Sequence, residues 1–255
     1  MRNFLILILF LCFSGSLNGQ KADSPQVPFR AAGSVTLTTK GISMIPNLTL
    51  GKPAAMFEFN MSKGRLSFDP QLRFALKGQP WSFLFWWRYK ILKPGKFQLN
   101  VGAHPALSFK EQTLFTADGT ERNTMTVRRY LAGELAPSYT INKNVSVSLY
   151  YLFSHGIEPE LTQYTNFISA RASFPNIKIS ERYSLRFNPQ VYYLNMDGVD
   201  GTYVNATLAV AKKGLPVSVS AMVNNPIKTN LLTGNEFLWN INLVYSFGND
   251  YYKKQ

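Results

Sequence analysis

Apolar and polar residues alternate over residues 65–77, 81–91, 96–110, 144–154, 182–194 and 237–247. A period of two is the side-chain period of a β-strand, in which successive residues point to opposite faces. From Arg65 to Lys77, Leu66, Phe68, Pro70, Leu72, Phe74 and Leu76 share one face, while Arg65, Ser67, Asp69, Gln71, Arg73 and Lys77 share the other. Strands of soluble domains run to ~5–6 residues, whereas a strand that crosses a bilayer needs ~9–11. These repeats have the second length.

Turn chemistry divides the chain into strands near 33–44, 53–61, 65–77, 80–92, 96–110, 124–140, 144–155, 163–174, 181–195, 202–212, 215–224 and 236–247. Short connections at Ser62-Lys63-Gly64, Lys93-Pro94-Gly95, Asn142-Lys143 and Lys212-Lys213-Gly214 alternate with longer ones near 45–52, 111–123, 156–162, 196–201 and 225–235. Short turns at one end and long loops at the other predict an all-β fold, a transmembrane antiparallel up-and-down β-barrel of about twelve strands. Ten or fourteen strands fit the weaker repeats near 33–50 and 163–180. A soluble sandwich or lipocalin-like barrel would have to enclose every apolar face, and the large aromatics overfill such an interior.

The aromatic positions agree with a wall set in lipid. By parity, Trp81, Phe83, Phe85, Trp87, Tyr89, Phe97, Phe109, Tyr183, Tyr193, Trp239, Tyr245 and Phe247 face outward. Phe97 and Phe109 bracket Leu99, Val101 and Leu107, and Tyr183 and Tyr193 bracket Leu185, Phe187 and Val191, as in the aromatic girdles of membrane barrels. The face from Trp81 to Tyr89 would serve equally as a subunit contact. Tyr245-Ser246-Phe247 resembles the C-terminal strand by which bacterial outer-membrane proteins are recognised by the barrel-assembly machinery, although Gly248 to Gln255 follow it. Pro70, Pro105, Pro137 and Pro189 fall inside strands on the outward face, where local bulges would accommodate them.

The ends and the charge narrow the location. Arg2, the apolar run Phe4–Phe13 and the small or polar residues up to Gly19 read as a signal peptide over 1–19. A periplasmic segment over 20–32, a barrel over 33–247 and a tail over 248–255 would follow. Cys12 is the single cysteine and lies in that leader, so the mature chain has neither disulfide nor thiolate. Arg2 is the only charge in residues 1–19, so the formal net charge falls from +13 to +12 on cleavage. Export and the lack of a recognised motif exclude nucleic acid as a partner. The expected location is the outer membrane of a Gram-negative bacterium, with outer-membrane lipids as surroundings.

Parity also sets the chemistry of the interior. The charged residues expected to line the lumen are Glu58, Arg65, Asp69, Arg73, Arg88, Lys90, Lys96, Arg128, Glu134, Arg171, Arg182 and Arg186, joined near strand ends by Lys77 and Lys110. Bases far outnumber acids, which favours passage of anions. In outline the chain resembles the small twelve-stranded monomeric channels that admit acidic oligosaccharides through arginine-lined lumens. That likeness implies a diffusion channel for small anionic solutes. A closed structural or adhesive barrel, its lumen filled by internal salt bridges, is the alternative.

Catalysis would have to use His104 or His155. His104 points inward beside Asn100 and Ser108. His155 ends an outward row at the loop side, next to Ser154 and near Glu158 and Glu160, where a lipid-modifying enzyme could place its triad. No nucleophile is specified, so no enzyme is expected. No cofactor is expected, and no His, Asp or Glu cluster has metal-ligand spacing. The loop Glu111–Asn123, with its Ala117-Asp118-Gly119-Thr120 turn, is expected to be solvated or to fold inward as a constriction.

Overall fold

The computed structural model describes residues 27–92, 95–115 and 121–251, so the leader and the far C-terminus lie outside the described residues. Twelve strands follow in order: β1 (Phe29–Thr38), β2 (Ala54–Lys63), β3 (Leu66–Ala75), β4 (Pro80–Lys90), β5 (Phe97–Phe115), β6 (Glu121–Asn142), β7 (Val145–Gly156), β8 (Tyr164–Lys178), β9 (Tyr183–Met196), β10 (Val199–Lys212), β11 (Val217–Thr229) and β12 (Leu238–Tyr251). Each pairs antiparallel with the next. β1 pairs with β12, from Phe29 opposite Tyr251 to Thr38 opposite Asn242, and so closes the barrel. The wall therefore begins earlier and ends later than 33–247, because residues 29–32 and 248–251 pair with each other across the closing seam.

The expected loop over 111–123 is instead mostly a hairpin. Its arms stay in register from Lys110 opposite Thr126 to Phe115 opposite Glu121, and the tip 116–120, with the turn signature, lies outside the described residues. The pairing runs up to the turn signature because both arms can exchange backbone hydrogen bonds.

The wall is inverted relative to a soluble protein. Leu131, Leu135, Val191, Ile168, Leu208, Val219, Ile241 and Leu243 are exposed on the outside, whereas Thr36, Thr38, Ser169, Gln190, Asn205, Ser220, Asn224, Asn240 and Asn242 are buried inside. Outer aromatics touch across neighbouring strands. Phe74 lies 5.3 Å from Phe83, Phe83 lies 4.9 Å from Phe109, and Phe68 lies 4.4 Å from Trp87, all between ring centroids. An apolar belt of this extent requires apolar surroundings.

The four strand prolines do not create the bulges expected of them. Pro70, Pro105, Pro137 and Pro189 keep their partners Phe85, Leu131, Leu99 and Ala206 on one side. On the other side the ladder skips two residue pairs and resumes in the same register. In an antiparallel sheet a residue exchanges both its backbone bonds with a single neighbour, so the missing N–H costs one ladder and spares the other.

A genuine bulge occurs elsewhere, between β3 and β4. Arg73 faces Ser82, but Phe74 faces Pro80, so Trp81 is an extra residue in the β4 edge of this ladder. A bulge re-aims the side chain it carries. Trp81 points into the barrel and is 2% exposed, so its assignment to the lipid face is corrected.

Candidate functional site

Three layers fill the lumen, and each follows from residues that parity sends inward. At mid-height, Arg88 of β4 is gripped by two carboxylates. Its Nη1 donates to Asp69 Oδ2 of β3 at 2.7 Å, and its Nε donates to Glu134 Oε1 of β6 at 2.6 Å. Asn60 donates to Asp69, and Tyr150 of β7 donates its hydroxyl to Glu134 Oε2 at 2.8 Å. The guanidinium also sits 4.4 Å from the Trp86 ring centre, and Trp86 stacks on His104 at 3.8 Å. Gly102 makes room for the network, since a Cβ there would lie 2.9 Å from Glu134 Oε1 and 3.0 Å from Arg88 Cγ.

Towards the end bearing the long loops, the lumen is narrowed by the β1–β2 connection. Residues 39–53, with a short 3₁₀ turn over Pro46–Leu48, fold into the mouth instead of standing in solvent. The backbone N–H groups of Leu50 and Gly51 donate to the Gly41 carbonyl, and Gly41 donates to that of Lys52, which pinches the loop shut at its base. Trp81 Nε1 donates to the Leu48 carbonyl at 2.8 Å, Asn47 Nδ2 reaches Thr162 Oγ1 at 3.4 Å, and Gln190 contacts Met44 Sδ. Met44, Ile45 and Leu231 pack on a buried cluster of Phe167, Tyr192, Leu194, Met196 and Tyr203. Tyr192 and Tyr203 stack at 4.9 Å, and their hydroxyls bond Asn224 and Thr229. Between the loop and the walls of β3 to β8 a cavity of about 130 Å³ remains.

Towards the short-turn end the lumen opens to solvent. Arg171 is exposed there and donates Nε and Nη2 to Gln190 Oε1 at 2.9 and 2.8 Å, and Arg186 is exposed on the next strand. A groove of about 740 Å³ at this rim is lined by Lys178, Arg182, Lys212 and Lys213 together with Glu181.

The lumen residues expected from parity thus divide into groups. Asp69, Arg88 and Glu134 are brought together, and Arg73 lies beside them on β3, its guanidinium 5.4 Å from the Trp81 ring centre. Glu58 of β2 accepts from Ser34 at 3.5 Å. Arg128 lines a pocket of about 280 Å³ at the loop end with Trp81 and Leu48. Arg65, Lys90, Lys96 and Arg182 are exposed near the short-turn rim, and Arg65 reaches the Ile91 carbonyl. The basic excess is therefore uneven: the mid-lumen network carries two acids on one arginine, and the unpaired bases cluster towards the short-turn end.

Of the aromatics expected outside, Trp87, Tyr89, Phe97, Tyr183, Tyr193, Trp239, Tyr245 and Phe247 are exposed, and Phe83, Phe85 and Phe109 are half-buried among their neighbours. Trp86, Tyr150, Tyr192, Tyr203 and the inserted loop are site elements that the strand pattern alone did not single out. A usable signal was present, because the connection holds Ile42, Met44, Ile45, Leu48 and Leu50, far too apolar for a solvated loop.

The histidines are placed apart from any triad. Ser154 is buried inside the barrel while His155 points outward, as neighbouring strand residues must. His155 Nδ1 lies 2.9 Å from the Gln163 carbonyl and its ring lies 5.3 Å from that of Tyr164. Glu158 is held by Arg129, which donates its backbone N–H at 3.0 Å and its Nε at 2.5 Å. Both bonds pull the Glu158 carboxyl below its ordinary pKa. Among the described residues no group of three or more His, Cys, Asp or Glu could hold a metal.

No family model and no curated protein matches this sequence. Solved structures do resemble it. The KdgM porin superposes with a TM-score of 0.50 at 8% identity, covering 86% of this chain and 99% of that one. The COG4313 outer membrane channel from Pseudomonas putida F1 gives 0.49 at 9% identity, covering 92% and 100%. The NanC porin gives 0.46 at 9% identity, covering 89% and 100%. With the KdgM likeness and the closed twelve-strand wall together, the chain is a porin-like outer-membrane β-barrel in its fold.

Proposed function

We propose that this barrel is a constricted diffusion channel that passes small anionic solutes across the outer membrane. The observation that carries this reading is the set of inward-facing arginines without acidic partners. Arg73, Arg171 and Arg186 make no ion pair within 4.0 Å among the described residues, whereas Asp69 and Glu134 are both engaged by Arg88. A cation whose charge is not consumed by a neighbour lowers the barrier to an entering anion, and a low-dielectric wall focuses that field. The exposed bases at the short-turn end act as a collecting mouth, and the inserted β1–β2 loop sets the bore at the other end.

The test is conductance of the refolded mature protein in a planar bilayer under a salt gradient. Discrete steps whose reversal potential favours the anion, and which lose that preference in Arg171→Gln/Arg186→Gln, support the channel. A second reading, a closed barrel, draws on the hydrogen bonds that tie residues 43–49 to the inner wall. A folded barrel with no steps in the bilayer would favour it and overturn the first.

A further inference from the structure

Two buried polar atoms without partners, Nε of Arg73 and Oδ1 of Asn47, belong to side chains that line the cavity between the inserted loop and the wall. Arg73 uses one hydrogen bond, from Nη2 to Gln71 Oε1 at 2.7 Å, so most of its planar fork of donors remains available. Buried donors and acceptors are nearly always satisfied, so one left open beside a cavity calls for a partner there. The rest of the lining combines an apolar platform with hydroxyl groups. Leu84, Leu152 and the edge of Trp86, whose faces are taken by Arg88 and His104, provide the platform, and Ser82 and Ser154 the hydroxyls. Glu58 is the acid whose charge reaches Arg73, though the two make no ion pair, and its carboxylate is met by Ser34.

From this we infer that the cavity is a binding site for a small monocarboxylate, with its carboxylate on the Arg73 fork and its body against Leu84 and Leu152. The proposal rests on the channel reading for how the ligand arrives, and on the orphaned donor for what it is. A guanidinium edge matches the two oxygens of a carboxylate better than any neutral group. Size limits the body. A cavity near 150 Å³ holds one benzene, so about 130 Å³ admits roughly five or six non-hydrogen atoms, the scale of a short-chain acid. An oligosaccharide does not fit without displacing the loop.

The experiment is calorimetric titration of the refolded full barrel in detergent with propionate and with its neutral isostere propionamide. Propionate is expected to bind at least about tenfold more tightly, the value of one charge-assisted hydrogen bond. Arg73→Gln should abolish that preference while leaving heat-dependent gel mobility intact. Should Arg73→Gln fail to fold, Ala132→Phe, which fills the cavity and keeps the charge, should remove binding of both compounds. Equal binding of the two compounds, no binding of either, or binding unaffected by Ala132→Phe overturns the site. Anion-selective conductance without this discrimination rejects the site and leaves the channel standing. Discrimination in a barrel that never conducts rejects the channel and leaves the site standing.

Discussion

The indole N–H of Trp81 donates to the main-chain carbonyl of Leu48 at 2.8 Å, and this bond fastens the β1–β2 loop to the inside of the wall. The bond exists because one extra residue in β4 turns Trp81 away from the outer face on which strand parity would put it. A wall irregularity and a lumen constriction are thus two ends of one device.

Trp81→Phe keeps an aromatic ring, deletes the indole donor and removes a little buried volume. Loss of one neutral hydrogen bond costs about 1 kcal/mol, too little to unfold the barrel but enough to loosen the loop. Single-channel recordings should give a larger mean conductance, or frequent transitions to a larger one, with unchanged gel mobility. Conductance identical to the parent would show that the loop does not set the bore.

Gly234 tests the same loop from the opposite side. It has φ of +88°, and a Cβ on it would collide with the Pro46 ring. Gly234→Ala is expected to push the 46–48 turn off its seat and raise conductance in the manner of Trp81→Phe. Gly78→Ala is the control, since Gly78 has φ of +86° with nothing within 4 Å of its added Cβ. It should cost stability without altering the current.

Arg88→Met should destabilise the wall by about 3 kcal/mol or more, because it leaves two carboxylates in the lumen without their cation. The side chain of Glu134 is 2% exposed and that of Asp69 11%, so neither can be rescued fully by solvent. Adding Asp69→Asn and Glu134→Gln should return most of the loss, as measured by urea unfolding in lipid vesicles followed by gel mobility. Equal stability of Arg88→Met and parent would mean that water already screens the network.

The pH response of the β7–β8 loop has a definite sign. Both bonds from Arg129 favour the ionised form of Glu158, so its folded pKa lies below the unfolded one. Such a group contributes stability that is fully present above the unfolded value and lost as pH falls through the lowered folded value. Hydrogen exchange at the Arg129 amide should therefore quicken only in the acid range below the ordinary glutamate value, after correction for intrinsic rates. Glu158→Gln should show the quickened exchange already at neutral pH.

Much of the wall was legible because a strand that faces lipid on one side and polar groups on the other writes its period directly into the sequence. Arg65 to Lys77 and Tyr183 to Asn195 illustrate this, and their inward members include Asp69, Arg73, Arg186 and Gln190. Parity failed at Trp81, since a single inserted residue reverses the face of the side chain it carries and leaves no mark on composition. The prolines misled in a different way. Their cost falls on one neighbour only, which becomes visible when both ladders of each strand are known. The pairing of Arg88 with Asp69 and Glu134 depends on the register of β3, β4 and β6. Sequence could send those residues inward but could not choose the partners. The inserted loop has no period at all, and its apolar content was its one clue.

The seam between β1 and β12 sets the order in which this molecule can be made. Phe29 meets Tyr251 there, and every other strand pairs with its neighbour in the chain. Eleven of the twelve ladders are local, and the last joins the two ends of the barrel sequence. Until that twelfth ladder forms, the sheet is an open ribbon with two unpaired edges, each a template for another chain. A polypeptide cut short by one strand would retain both edges. Commitment to the finished shape therefore waits for β12, and an escort that covers β1 in the meantime would guard the ribbon against its own copies.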